Sequence, residues 1–141
     1  MNKLVALGLA LAVIVPSVAY ADPVLVRGHE GVTRAFPILR SVTNEVLAQG
    51  DFSQVVRAGK VHNRLLFRFK DGSIYDESVV FSQGDVFTLE SYRILHQGPS
   101  FPEMLDATID RNTGHYEVRH RADDDSPEER FSGKFALPAD A

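Results

Sequence analysis

Turn-forming residues return about every dozen positions from Thr43 onward, and this spacing constrains the fold more than any other feature of the chain. The turns are Ala58-Gly59-Lys60, Asp71-Gly72, Gly84-Asp85, Gly98-Pro99, Asn112-Thr113-Gly114 and the acidic stretch from Asp123 to Pro127. Between them lie segments rich in Val, Phe, Tyr, Ile and Thr, as an antiparallel meander requires. Strands are therefore expected over 33–40, 44–57, 61–70, 74–82, 86–96, 103–110, 115–121 and 129–137. In 41–50, Val42, Val46 and Leu47 also fit one or two helical turns. The expected fold class is all-β, an antiparallel meander forming a strongly curved sheet or open barrel, in one domain over 22–141. Strands of about ten residues span roughly 34 Å, longer than most, which favours a curved sheet over a short-stranded sandwich.

Alternation sets the facing of the central strands. In Leu65-Leu66-Phe67-Arg68-Phe69-Lys70 the odd positions are all apolar, so they should look inward. A three-residue turn over Lys70-Asp71-Gly72, with Gly72 left-handed, places Phe67 opposite Tyr75 and Leu65 opposite Glu77. A two-residue Asp-Gly turn would set them against Asp76 and Ser78, burying less apolar area. A similar turn at Gln83-Gly84-Asp85 pairs Phe81 with Phe87 and Val79 with Leu89. The inner face then reads Leu65, Phe67, Phe69, Tyr75, Val79, Phe81, Phe87 and Leu89, with Glu77 as its one charge. Leu66, Ile74, Val80, Tyr92 and Ile94 fall on the other face, among Arg64, Arg68, Asp76 and Glu90.

The first residues have a different character. Lys3, the apolar run Leu4 to Val15, and Ala19-Tyr20-Ala21 make a secretory signal peptide over 1–21, with cleavage before Asp22. The run ends at Pro16, well short of the roughly 20 residues a membrane span needs. Loss of Lys3 takes the formal charge from −4 to −5, which argues against a nucleic-acid partner. The chain has no cysteine, so core packing must hold the fold without disulfides, and no acylated Cys can follow Ala21. The expected address is exported, periplasmic or secreted, as a soluble product.

Several runs carry a resemblance. They are Gly50-Asp51-Phe52-Ser53-Gln54, Arg64 through Ser73, Asp76-Glu77, Phe81-Ser82-Gln83, Gly98-Pro99-Ser100-Phe101-Pro102, Ile109-Asp110 and Gly114. In their joint spacing, over about residues 48 to 138, they resemble the core of an uncharacterised family of exported, β-rich bacterial envelope proteins with no established activity. The resemblance implies a secreted β-protein similar in outline to curved-sheet envelope proteins that hold lipids or other apolar ligands. It also implies that members continue beyond Leu137-Pro138, so that this chain is a short or truncated member with an unclosed sheet edge.

Residues with chemistry are scattered. His115 and His120 differ by an odd number and must point to opposite faces of one strand, so no metal site is expected from the five histidines. Asp76 and Glu77 likewise face apart and cannot act as paired carboxylates. Glu77 is expected diagonal to Arg93 as an ion pair at the rim of the core, with a polar contact at the mouth of an apolar cavity as the alternative. Asp76 belongs to a surface ladder with Arg64 and Arg68. Gly98-Pro99-Ser100-Phe101-Pro102 lacks the nucleophile-elbow pattern, and its Phe101 is placed to cap one end of the sheet. Asp123-Asp124-Asp125-Ser126-Pro127-Glu128-Glu129 lacks the calcium-loop glycine and reads as a solvated hairpin tip.

The expected function is that of a noncatalytic envelope protein, without cofactor, holding a lipid or other apolar small molecule on the concave face. Its candidate lining is Leu65, Phe67, Phe69, Tyr75, Glu77, Val79, Phe81, Phe87, Leu89 and Arg93. The alternative is a structural or assembly module. Its partner, another protein or a second copy, would bind the exposed edge of the strand at 129–137, where Arg130 and Lys134 lie on one side and Phe131, Phe135 and Leu137 on the other.

Overall fold

The computed structural model describes residues 22–137; the expected signal segment and the last four residues lie outside them. Nine strands form one antiparallel sheet: β1 (Thr33–Ala35), β2 (Ile38–Arg40), β3 (Val46–Arg57), β4 (Lys60–Phe69), β5 (Ile74–Gln83), β6 (Phe87–Gln97), β7 (Met104–Asp110), β8 (His115–Arg121) and β9 (Glu129–Lys134). The fold is all-β. Its strands follow one another in sequence from β3 to β9, and β1 and β2 both pair with β3. The sheet is barrel-like but does not close.

Turn chemistry fixes the meander. The first hairpin turns on Ala58 and Gly59, both with positive φ, so that Arg57 pairs with Lys60. Gly72 has a φ of 88°, and the three residues 70–72 join β4 to β5 with Phe67 opposite Tyr75 and Leu65 opposite Glu77, as expected. The segment 41–50 contributes the start of β3 and no helix. The expected strand at 33–40 is split at Pro37, which lacks a backbone donor; its carbonyl accepts from Gly50 N–H at 2.7 Å. The last strand stops at Lys134, short of residue 137.

One register differs from expectation. Phe81 pairs with Leu89, and Phe87 with Gln83, while Val79 pairs with Tyr92. Two causes add: the turn lies over 84–86, one residue later than expected, which moves the pairs next to it by two positions, and a β-bulge between Val80 and Phe81 leaves Glu90 unmatched in β6. One extra residue reverses the facing of everything beyond it. Tyr92 and Ile94 therefore join the apolar face, opposite to the expected placement, and Arg93 leaves it.

The two faces differ sharply in chemistry. Every Lys and Arg of β3 to β9 projects to one side, the polar face. The other side carries Phe52, Leu65, Phe67, Tyr75, Val79, Phe81, Leu89, Tyr92, Ile94, Leu105, Ala107, Ile109 and Val118. A sheet with such a face normally buries it under a second layer. Among the described residues that layer is missing from the middle of the sheet. Ala48 and Val61 are the only buried apolar residues there, and the apolar-face residues named above are half-buried.

Candidate functional site

Both ends of the apolar face are covered by chain segments. At one end residues 22–32 form a strap across the strand ends: Leu25 bridges to Val86, and Phe87 N–H donates to Val24 carbonyl at 2.9 Å. The strap continues to Glu30, whose N–H donates to Gln83 Oε1 at 2.6 Å, and Gln54 Nε2 donates to Gly31 carbonyl at 2.9 Å. Gln54 and Gln83 are thereby buried with their amides satisfied, beside Val61. An open cleft of about 270 Å³ remains between Val24, Glu30, Phe81 and Phe87. At the opposite end the loop after β6 folds back. Phe101 packs on Phe69 with ring centroids 5.3 Å apart and on His96 at 4.9 Å, capping the sheet as expected. Ser100 N–H donates to the buried Ser73 Oγ at 2.9 Å and its hydroxyl to Asp71 at 2.7 Å, which holds the loop down.

Between these caps the face is aromatic and aliphatic. Phe67 meets Tyr75 at 6.4 Å between centroids, and Phe81 meets Phe87 edge-on at 5.2 Å. Phe67 also lies over Gly50: a Cβ there would come within 2.8 Å of the ring and 2.6 Å of Pro37. Tyr116 covers Gly133 in the same way near the other edge. Missing Cβ atoms thus let rings approach the backbone of β3 and β9 closely.

Glu77 stands in the middle of this face. Its Oε2 accepts from Tyr75 Oη at 2.9 Å and its Oε1 from Tyr92 Oη at 3.0 Å. Burial, and then the hydrogen bond to Glu77, pushes the Tyr75 hydroxyl up to about 12, and Tyr92 moves the same way for the same reasons. Both phenols are therefore firm donors to the carboxylate. The expected ion pair between Glu77 and Arg93 does not form: Arg93 lies opposite Ser78 on the polar face and is not part of the lining.

On that polar face Arg93 forks onto Asp106 at 3.0 and 3.1 Å, and Arg119 binds the same carboxylate from β8. Arg64 forks onto Asp76 at 2.9 and 2.6 Å, as the expected ladder requires. The Arg93 hydrogen bond holds the Asp106 carboxyl below its ordinary range despite burial, and the Arg64 bond does so for Asp76. Arg34 on Asp51 extends the ladder to β1, and Lys60 on Glu90 lies beside it. This charge lattice keeps one side of the sheet in water.

Of the ten candidate lining residues, Leu65, Phe67, Phe69, Tyr75, Glu77, Val79, Phe81, Phe87 and Leu89 share the apolar face and Arg93 does not. Tyr92 and Ile94 join them, as do Leu105, Ala107, Ile109 and Val118 from the second half of the sheet. The clean alternation of Leu105-Asp106-Ala107-Thr108-Ile109-Asp110 is a usable signal for the last group. His115 and His120 face apart, with His120 Nε2 2.6 Å from Glu103. In comparisons with known proteins, no protein-family model, no curated protein and no solved structure matches this chain.

Proposed function

We propose that this is a noncatalytic exported protein that holds an apolar ligand, such as a lipid tail, on the apolar face of its open sheet. The observation that carries the reading is the uncovered middle of that face: strands β3 to β8 contribute half-buried apolar side chains, and the described residues cap only its two ends. Covering such a face is favourable by about 25 cal/mol for each Å² of apolar surface removed from water. An ordered salt-bridge lattice on the reverse side gives the sheet one wet face and one that seeks cover. The signal-like segment at 1–21 and the resemblance to exported envelope proteins support the address. Native mass spectrometry of protein purified from its source tests both parts. The expected species begins at Asp22 and carries an apolar adduct released by collisional activation; a mature chain that retains Met1, or one that is always bare, goes against the address or the ligand respectively.

A second reading, assembly with another protein or a second copy, is favoured by β9. No strand pairs with its outer edge among the described residues, and Phe131 there is 52% exposed.

A further inference from the structure

The charge at the centre of the apolar face narrows the ligand. Glu77 accepts two hydrogen bonds, but both donors are neutral phenols, so its negative charge is solvated and not balanced. Every Lys and Arg of β3 to β9 points to the other face. The other carboxylates on this side lie at its margins: Glu30 in the strap accepts from Gln54 Nε2 at 3.0 Å, and Glu103 and Glu129 flank His120 at 2.6 and 4.0 Å. A neutral tail laid across Glu77 would strip water from an uncompensated charge, and an anionic amphiphile would add repulsion to that penalty. A cationic head reverses the sign.

We propose that Glu77, Tyr75 and Tyr92 form the head-group site for an ammonium amphiphile, whose tail lies along the same face. The two phenol rings beside the carboxylate add the attraction of aromatic faces for a cation. Asn63, which pairs with Val79 and so lies diagonal to Glu77, has its Oδ1 buried without a hydrogen-bond partner. That oxygen is shielded from solvent, so the Glu77 carboxylate is the acceptor an entering ammonium meets. A zwitterionic phospholipid head fits less well, because its phosphate would meet no Lys or Arg on this side of β3 to β9. The inference rests on the apolar-ligand reading and adds the class of head group to it.

Calorimetric titration of the protein with decylammonium, decanol and decyl sulfate, each below its micellar concentration, tests it. Decylammonium should bind at one site about tenfold more tightly than decanol, the gain expected of a cation moved onto aromatic faces and a carboxylate, and decyl sulfate should bind more weakly than either. Glu77→Gln should erase the preference by weakening decylammonium, and should bind decanol at least as tightly as the unaltered protein, since the charge that a neutral ligand must desolvate is gone. The ¹³C shift of the Glu77 carboxyl in the unaltered protein should move with decylammonium and not with decanol, which tests the same contact without a variant. Decanol binding with no preference for the cation would overturn the ammonium site alone. Failure of all three probes to bind would overturn the apolar-ligand reading beneath it.

Discussion

Tyr92 lies directly opposite Val79 and bonds to Glu77 only because Glu90 is held as an unmatched residue in β6. Without that bulge Tyr92 would face the charge lattice and Arg93 would occupy the apolar side. The bulge thus decides that the central carboxylate is met by phenols and not by a guanidinium.

Tyr92→Phe removes one hydrogen bond to an ionised acceptor that keeps its Tyr75 partner. Because the site is half-exposed, the variant should lose about 1 kcal/mol of stability, near the middle of the range for a single hydrogen bond. Urea denaturation should show a lower midpoint with an unchanged slope.

Asp106 and Asp76 make the fold acid-sensitive. Their carboxyls titrate below the ordinary value of 3.8 in the folded chain, so the stability they contribute is fully present above that value. It is lost as pH falls below 3.8 through the lowered folded values. Asp106→Asn should cost about 2 kcal/mol at neutral pH, since two arginines lose an ionised partner, a figure reduced for their exposed ends. It should also flatten the fall of the urea midpoint between neutral and acidic pH.

Ala58 adopts a φ of 51° ahead of Gly59 at 75°, a conformation that costs an L-residue roughly 1 kcal/mol. Ala58→Asn creates the Asn-Gly pair that this two-residue turn favours, and should raise stability by up to about 1 kcal/mol in the same denaturation experiment.

How much of the structure is legible in the sequence varies along the chain for physical reasons. Phe67 opposite Tyr75 is legible because Gly72 permits one compact turn and the other register exposes apolar area. Alternation extended from the neighbouring turn does not place the bulge, although Leu89-Glu90-Ser91-Tyr92 sets two polar residues together and so breaks the period of two. Pro37 is a visible interruption of the strand at 33–40. The strap over 22–32 leaves no periodic trace, since its hydrogen bonds go to Gln54, Gln83 and strand ends that are distant in sequence.

If β9 mediates association, its outer backbone and Phe131 will be the contact. Sedimentation should then show a mass that rises with concentration, and Phe131→Lys should weaken the association at least about tenfold by placing a charge in the new seam. A strictly monomeric chain at high concentration, with 129–134 protected from hydrogen exchange, would show instead that this edge is covered within the molecule.

If one face of the sheet, and not the other, takes an apolar occupant, substitutions on the two faces must differ in their effect on binding. Titration with a neutral environment-sensitive dye tests this most directly, using neighbouring half-buried positions that point to opposite sides. Leu65→Asn and Ile94→Asn lie on the apolar face, and Leu66→Asn and Leu95→Asn on the polar one. We predict one saturable site per folded chain, weakened by the first pair and untouched by the second, with unchanged far-ultraviolet circular dichroism in all four. No saturable binding, or equal loss from both pairs, would contradict an apolar-ligand face.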